Sequence, residues 1–177
     1  MRSLRLFVVI SICLCAAPSL RAQKQKPEPL TAAQQEKIAE AGYDPETRVG
    51  LYTKYLNEHA DVIKGLIKRA EEGRDQRIDG ELQDFSALVD ELASNLDTYG
   101  DRKADIRRSL KPLSESVFRW QRILSDLPSR PGFQVSRDSA IDACKDLADQ
   151  TSQLIVDQSN YFETHKDEKG QDRAEPK

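Results

Sequence analysis

The chain has 177 residues, of which 32% are charged and 38% are hydrophobic, and its formal net charge at pH 7 is -3. This length is that of one ordinary domain. A mildly acidic chain without a dominant basic tract is unlike a nucleic-acid-binding protein, whose contacts to phosphates need a basic surface.

The first 22 residues have the three parts of a secretory signal peptide. Two arginines without an acid precede an apolar run of nine residues, Leu6–Leu14, and small residues then lead to a predicted cleavage after Ala22. The apolar run is less than half of the roughly 20 residues that cross a bilayer, which argues against a membrane anchor. We therefore expect a periplasmic or secreted protein with no stable membrane insertion after cleavage. Because the segment carries three arginines and no acid, its removal moves the formal charge from -3 to -6.

Two of the three cysteines, Cys13 and Cys15, leave with the signal peptide, so Cys144 alone remains. One cysteine cannot form an internal disulfide, and the stability of an exported chain must then come from packing. Two interpretations of Cys144 stay open, a buried inert thiol and an intermolecular bridge.

The mature chain is predicted to begin with a flexible leader, residues 23–30, which is polar and interrupted by prolines. Thr31 and Gln34 then form the pattern of a capping box, in which each side chain binds the other residue's backbone amide. A short helix is predicted over about 32–41, because Gly42 suits the left-handed position that ends a helix.

The same stretch, Leu30–Gln34, resembles the Leu-Thr-x-x-Gln signature of the helical periplasmic stress chaperones related to Spy and CpxP. The resemblance covers five residues and occurs once, whereas those proteins carry the motif twice and are generally basic. It implies a helical envelope protein with a chaperone-like activity.

Four longer segments carry apolar residues at alternating steps of three and four, the heptad pattern of packed helices. Asp44-Pro45 gives the clearest start, because the aspartate caps and the proline needs no amide at the first position. Gly73 is predicted to end the first of these helices, and Ser136 or Asp138 to cap the last. The four seams are Val49, Tyr52, Leu56, His59, Ile63, Leu66 and Ala70; Ile78, Leu82, Phe85, Val89, Leu92, Leu96 and Tyr99; Ile106, Leu110, Leu113, Val117, Trp120, Leu124 and Leu127; and Ile141, Cys144, Ala148, Thr151, Ile155, Gln158 and Phe162.

These patterns predict an all-α fold, an up-down antiparallel four-helix bundle. Its heptad-patterned helices are expected at about 45–72, 78–99, 103–127 and 137–164, in addition to the short N-terminal helix at about 32–41. The bundle is predicted to be a single domain followed by a disordered tail, because the charged end of the chain has no apolar residue to bury. The domain is expected over residues 31–165 and the tail over 166–177.

One junction allows two interpretations, because the second and third seams keep the same register across Gly100. The chain turns there between antiparallel helices, or one helix of about 50 residues, about 75 Å long, runs through. A lysine at the seam position Lys103, a helix-ending glycine and the possible cap Asp101 favour the turn.

The third and fourth helices carry opposite charge. Residues 102–122 contain seven basic side chains and two acidic ones, whereas residues 138–163 contain six acidic side chains and one lysine. Antiparallel neighbours would place these faces together, although exposed ion pairs stabilise by only about 0–1 kcal/mol each. The alternative is that the basic face recruits an acidic partner.

No arrangement of residues predicts catalytic, cofactor or metal chemistry. The seams contain no acid, and the residues three before His59 and His165 are Leu56 and Phe162, so the Glu-x-x-His motif of di-iron bundles is absent. A haem site is not expected either, since the only methionine is Met1 and the two histidines belong to distant levels of a bundle. Cys144 with His59 would be the only conceivable nucleophile and base, and both occupy seam positions.

We therefore expect an exported, non-catalytic helical protein that acts as an interaction or scaffold module in the cell envelope. A protein partner or self-association is expected, without nucleic acid. The alternative function is that of a periplasmic chaperone-like or ligand-binding helical protein.

Overall fold

The computed structural model describes residues 28–69 and 71–168. The predicted signal peptide, most of the leader and the tail from residue 169 lie outside the described residues, as does Ala70. The part described contains five α-helices and one short 3-10 helix, and it contains no strand. These are α1 (Ala32–Glu40), α2 (Pro45–Ile67), α3 (Arg74–Asp101), α4 (Arg107–Ser125), α5 (Gln134–Thr164) and the 3-10 helix Lys166–Glu168.

The first two helices begin where local chemistry places them. The Thr31 hydroxyl accepts from the Gln34 amide, and the Gln34 side chain accepts from the Thr31 amide at 2.8 Å, so the predicted capping box is confirmed. Asp44 caps α2 by accepting from the Thr47 amide at 3.3 Å. Gly42 has a φ of +54°, the left-handed conformation that was predicted to end α1.

The chain turns after α3, so the predicted turn is confirmed, but the residues that make it are different. Gly100 is helical, and Lys103 with a φ of +56° takes the left-handed position. Gly100 is small for another reason, since a Cβ there would lie 3.0 Å from the Cδ2 of Leu154 on α5. Asp101 is the last residue of α3 and does not cap α4, which begins after Ile106.

Two other predicted helix ends are corrected. The first long helix stops at Ile67 and not at about residue 72, and Gly73, with a φ of +70°, lies directly before α3. The last helix starts at Gln134, after Phe133, so neither Ser136 nor Asp138 caps it. The Ser136 hydroxyl donates instead to the Asp79 carboxylate on α3 at 2.5 Å, a contact between helices that no local pattern shows.

The four long helices pack as a bundle, in which α2 and α5 each contact both α3 and α4. Polar contacts give the local directions of the neighbours. Tyr52 binds Glu91 and His59 binds Glu81, so α2 and α3 run in opposite directions. Contacts of α4 with α2 join Ser109 to Glu46 and Trp120 to Asn57, so these two helices run in the same direction. The all-helical bundle that the heptads predicted is thus confirmed.

The core follows the predicted seams in α3 and α4, where every seam residue is buried. Trp120 lies at its centre, edge-on to Phe85 with ring centroids 5.7 Å apart. In α5 four of the seven predicted seam residues are buried, namely Cys144, Thr151, Gln158 and Phe162. Ala140 and Leu147 are buried while the predicted seam residue Ile155 is 36% exposed. No described helix is long and apolar enough to cross a membrane.

Candidate functional site

Cys144 is a buried, free thiol in the interior of the bundle. Burial raises the pKa of its thiol to about 12, because the thiolate would lose its hydration. The reactive form of a cysteine is the thiolate, so Cys144 is protonated and inert at neutral pH. This position agrees with the first of its two interpretations, and a side chain with no exposed surface is not available to a partner's thiol.

His59 lies on α2 with most of its side chain buried, and both of its ring nitrogens face acceptors. Nδ1 is 2.9 Å from Oε2 of Glu81 on α3, and Nε2 is 3.0 Å from the carbonyl oxygen of Pro29. A neutral imidazole has one N–H donor, whereas the imidazolium has two. The hydrogen bond to Glu81 raises the pKa of His59, and burial acts in the opposite direction. The geometry therefore fits a charged histidine that ties the segment before α1 to α2 and α3.

The structure does not combine the other candidate residues with His59. His165 lies at the end of α5, stacked on Tyr161 with ring centroids 4.1 Å apart. Cys144 contacts α4, whose Gln121 side chain donates to the Cys144 carbonyl at 3.2 Å. Among residues 28–69 and 71–168, no group of three or more His, Cys, Asp or Glu residues is arranged to hold a metal ion.

A basic groove lies between α2 and α4, with a volume of about 340 Å³. We define the basic groove by its lining residues, Lys64, Ile67, Arg119, Arg122, Ile123 and Asp126. Two isoleucines form its apolar part, and the charged side chains comprise three cations and one carboxylate. Arg119 also pairs with Asp61, with its Nη2 at 2.6 Å from Oδ1.

A second groove of about 280 Å³ lies between the C-terminal parts of α3 and α5. Three aspartates, Asp97, Asp101 and Asp157, line it together with Lys103, so its charge is opposite to that of the basic groove. The side chain of Gln150 crosses it and donates to Asp97 at 2.6 Å. Lys103 lies 5.8 Å above the ring of Tyr161, so this groove already contains a cation of the chain itself.

The charges of α4 and α5 do not neutralise each other as the sequence suggested. The two helices are neighbours, but Arg119 and Arg108 pair with Asp61 and Glu46 of α2. The Arg108 pair is loose, at 3.8 Å. The acids of α5 are all exposed. The acidic face of α5 and the basic face of α4 are therefore both presented to solvent.

Comparisons of this chain with protein-family models, with curated proteins and with solved structures found no match. The candidate site therefore rests on the geometry alone. Sequence reasoning had noted the basic excess that includes Arg119 and Arg122. It missed Lys64, because only the packing of α2 beside α4 brings that lysine to the same groove.

Proposed function

We propose that this protein is exported through a signal peptide that is cleaved after Ala22 and acts, without catalysis, as an interaction or scaffold module in the cell envelope. The observation that carries the proposal is the basic groove between α2 and α4. A groove between two helices, with apolar residues inside and charges at its rim, is the type of surface that takes an amphipathic helix of a partner.

The electrostatics of the basic groove favour an acidic partner. Arg119 is engaged by Asp61, whereas Lys64 and Arg122 have no ion pair among the described residues. Their charges are therefore available to a partner, and the groove supplies both attraction and orientation. Charge complementarity of this kind contributes more to specificity and association rate than to affinity.

The protonated, buried thiol of Cys144 and the fully engaged ring of His59 both support a role without catalysis. Each of these side chains has a structural partner or a packing role, and neither lines the basic groove. For the bundle itself we propose an up-down order along the chain, in which α2 pairs with α4 and α3 with α5 in parallel.

A chaperone-like or ligand-binding protein is the second candidate. It is favoured by large apolar side chains at the surface, of which Phe118 is 61% exposed, Val135 82% and Val156 54%. An aggregation-protection assay with an unfolded client separates the candidates, because a scaffold is expected not to delay client aggregation.

The experiment compares crosslinked partners of three proteins in the envelope of the expressing cell: the wild type, Arg119→Glu with Arg122→Glu, and a matched control. The control, Lys37→Glu with Lys54→Glu, changes the net charge equally on exposed side chains outside the basic groove. We expect the groove variant to lose a partner that the control retains. Equal partner sets for all three proteins would refute the role of the groove, and a mass that includes residues 1–22 would refute cleavage.

A further inference from the structure

We propose that the basic groove binds the outer face of α5 of a second copy of this chain, so that the protein assembles head to tail. This inference rests on the proposed function, because it names the partner of the same groove.

The surface of α5 that would enter the groove is a convex, acidic ridge. We define the acidic ridge as Asp138, Asp142, Lys145, Asp146, Asp149 and Val156, all of which are exposed. These residues follow the helical spacing of a single face. The ridge thus carries four carboxylates and one lysine, which pairs with Asp142 at 2.8 Å.

The two surfaces complement each other in charge and in shape. Three cations and one carboxylate line the concave groove, while the excess charge of the convex ridge is negative. A single exposed ion pair contributes little, but several pairs around a helix in a groove act together.

The fold prevents the ridge from reaching the groove of its own molecule. Within the described residues α5 packs against α3 and α4, whereas the groove lies between α4 and α2. The ridge also faces outward, because the opposite side of α5 holds the buried Cys144 and Thr151. Only a second copy can therefore bring the two surfaces together.

The contact joins two different surfaces, so a bound pair of copies still presents one free groove and one free ridge. Such heterologous contacts produce chains or rings and not a closed twofold dimer. Because exposed charges carry the contact, we expect assembly to weaken as salt shortens the Debye length from about 20–30 Å near 0.01–0.02 M to a few ångströms near 1 M.

The test is sedimentation velocity of the protein purified from the exported fraction of cells that express the full chain. It is measured over a range of concentrations at low and at high salt. The groove variant is Arg119→Glu with Arg122→Glu, and the ridge variant is Asp142→Lys with Asp146→Lys. Circular dichroism confirms that each variant is helical, and the neutral pair Arg119→Gln with Arg122→Gln replaces the groove variant if it does not fold.

We expect the wild type to associate at low salt and each reversed variant alone to associate at least tenfold more weakly, which corresponds to about 1.4 kcal/mol. An equimolar mixture of the two reversed variants should regain association, because the unchanged acidic ridge of the groove variant still fits the unchanged groove of the ridge variant. A mixture that stays as dissociated as each variant alone would contradict a contact between these two surfaces.

A wild type that stays monomeric at all concentrations overturns the inference. If the groove variant then still loses an envelope partner, the proposed function stands and another acidic protein occupies the groove. If the wild type associates but neither reversed variant is weakened, a different surface carries the assembly, and the inference is again overturned. If the wild type stays monomeric and the groove variant keeps every envelope partner, both proposals are refuted.

Discussion

The clearest prediction concerns the proton on His59, whose ring joins the segment before α1 to helices α2 and α3. The ring donates to the Glu81 carboxylate at 2.9 Å and to the Pro29 carbonyl at 3.0 Å, and both contacts need the charged ring. The hydrogen bond to Glu81 raises the pKa of His59. Burial opposes this shift, whereas the Pro29 carbonyl and the charges of Glu81 and Asp84 reinforce it. The folded state therefore binds this proton more tightly than the unfolded chain does.

The sign of the pH dependence follows from that difference. A raised pKa contributes stability that is fully present below the unfolded value of about 6.5 and is lost as the pH rises through the folded value. A hydrogen bond to a charged group contributes about 1.5–3 kcal/mol. We expect His59→Gln, which cannot donate to both acceptors, to lower the free energy of unfolding by about 1–3 kcal/mol at pH 6 and by less at pH 9.

The assay is urea unfolding of wild type, His59→Gln and His165→Gln at several values of pH between 5.5 and 9. The difference between wild type and His59→Gln should shrink as the pH rises, while His165→Gln, which removes the other histidine, should keep the wild-type profile. The protection factor of the Thr31 amide, which corrects for the intrinsic rise of exchange with pH, should also fall at high pH in the wild type, because the neighbouring Pro29 carbonyl loses its contact with the charged ring. A difference that stays constant or grows between pH 6 and pH 9 would refute the reasoning.

Three further predictions concern the core and can be checked by urea unfolding or thiol labelling. Gln158→Leu should destabilise the fold by about 2–4 kcal/mol, because the buried Ile106 amide and Ala104 carbonyl lose the side chain that binds them at 3.1 and 2.7 Å. An unchanged midpoint of urea unfolding would contradict this. Gly80→Ala should stabilise the fold by about 0.5–1 kcal/mol, since the position is helical and an added Cβ meets nothing within 4 Å. A loss of stability would contradict the open space beside α3. Cys144 should react with a thiol reagent only at the rate of unfolding, and rapid labelling of the native protein would show that the thiol is not buried.

The features that the sequence predicted correctly depend on neighbours within one helical turn. The capping box of Thr31 and Gln34 and the Asp44-Pro45 start need only local backbone geometry, and both are present in the structure. The existence of four long helices follows from the heptad spacing, because an apolar stripe on a helix must be buried against another helix.

Features that involve two helices were predicted less well. The pattern placed Ile155 on the seam of α5, but Ile155 is 36% exposed, and its neighbour Leu154 lies against Gly100 of α3. Several apolar residues of α5 lie side by side around the helix, so spacing alone does not choose between neighbouring stripes. Gln158 shows the same limit, because its role at the Ile106 amide depends on the path of a loop 52 residues away.

The sequence by itself determined that this chain is helical, where its first two helices begin and how much charge each helix carries, because these properties are set by residues within a turn or two of each other. The tertiary structure alone decided which charges meet. It placed Lys64 beside Arg119 and Arg122 in one groove and directed the acids of α5 outward, away from the cations of α4. The physical reason is that the neighbour of a helix in a bundle is selected by the packing of the whole core, whereas the charges on its outer face contribute too little energy to select it.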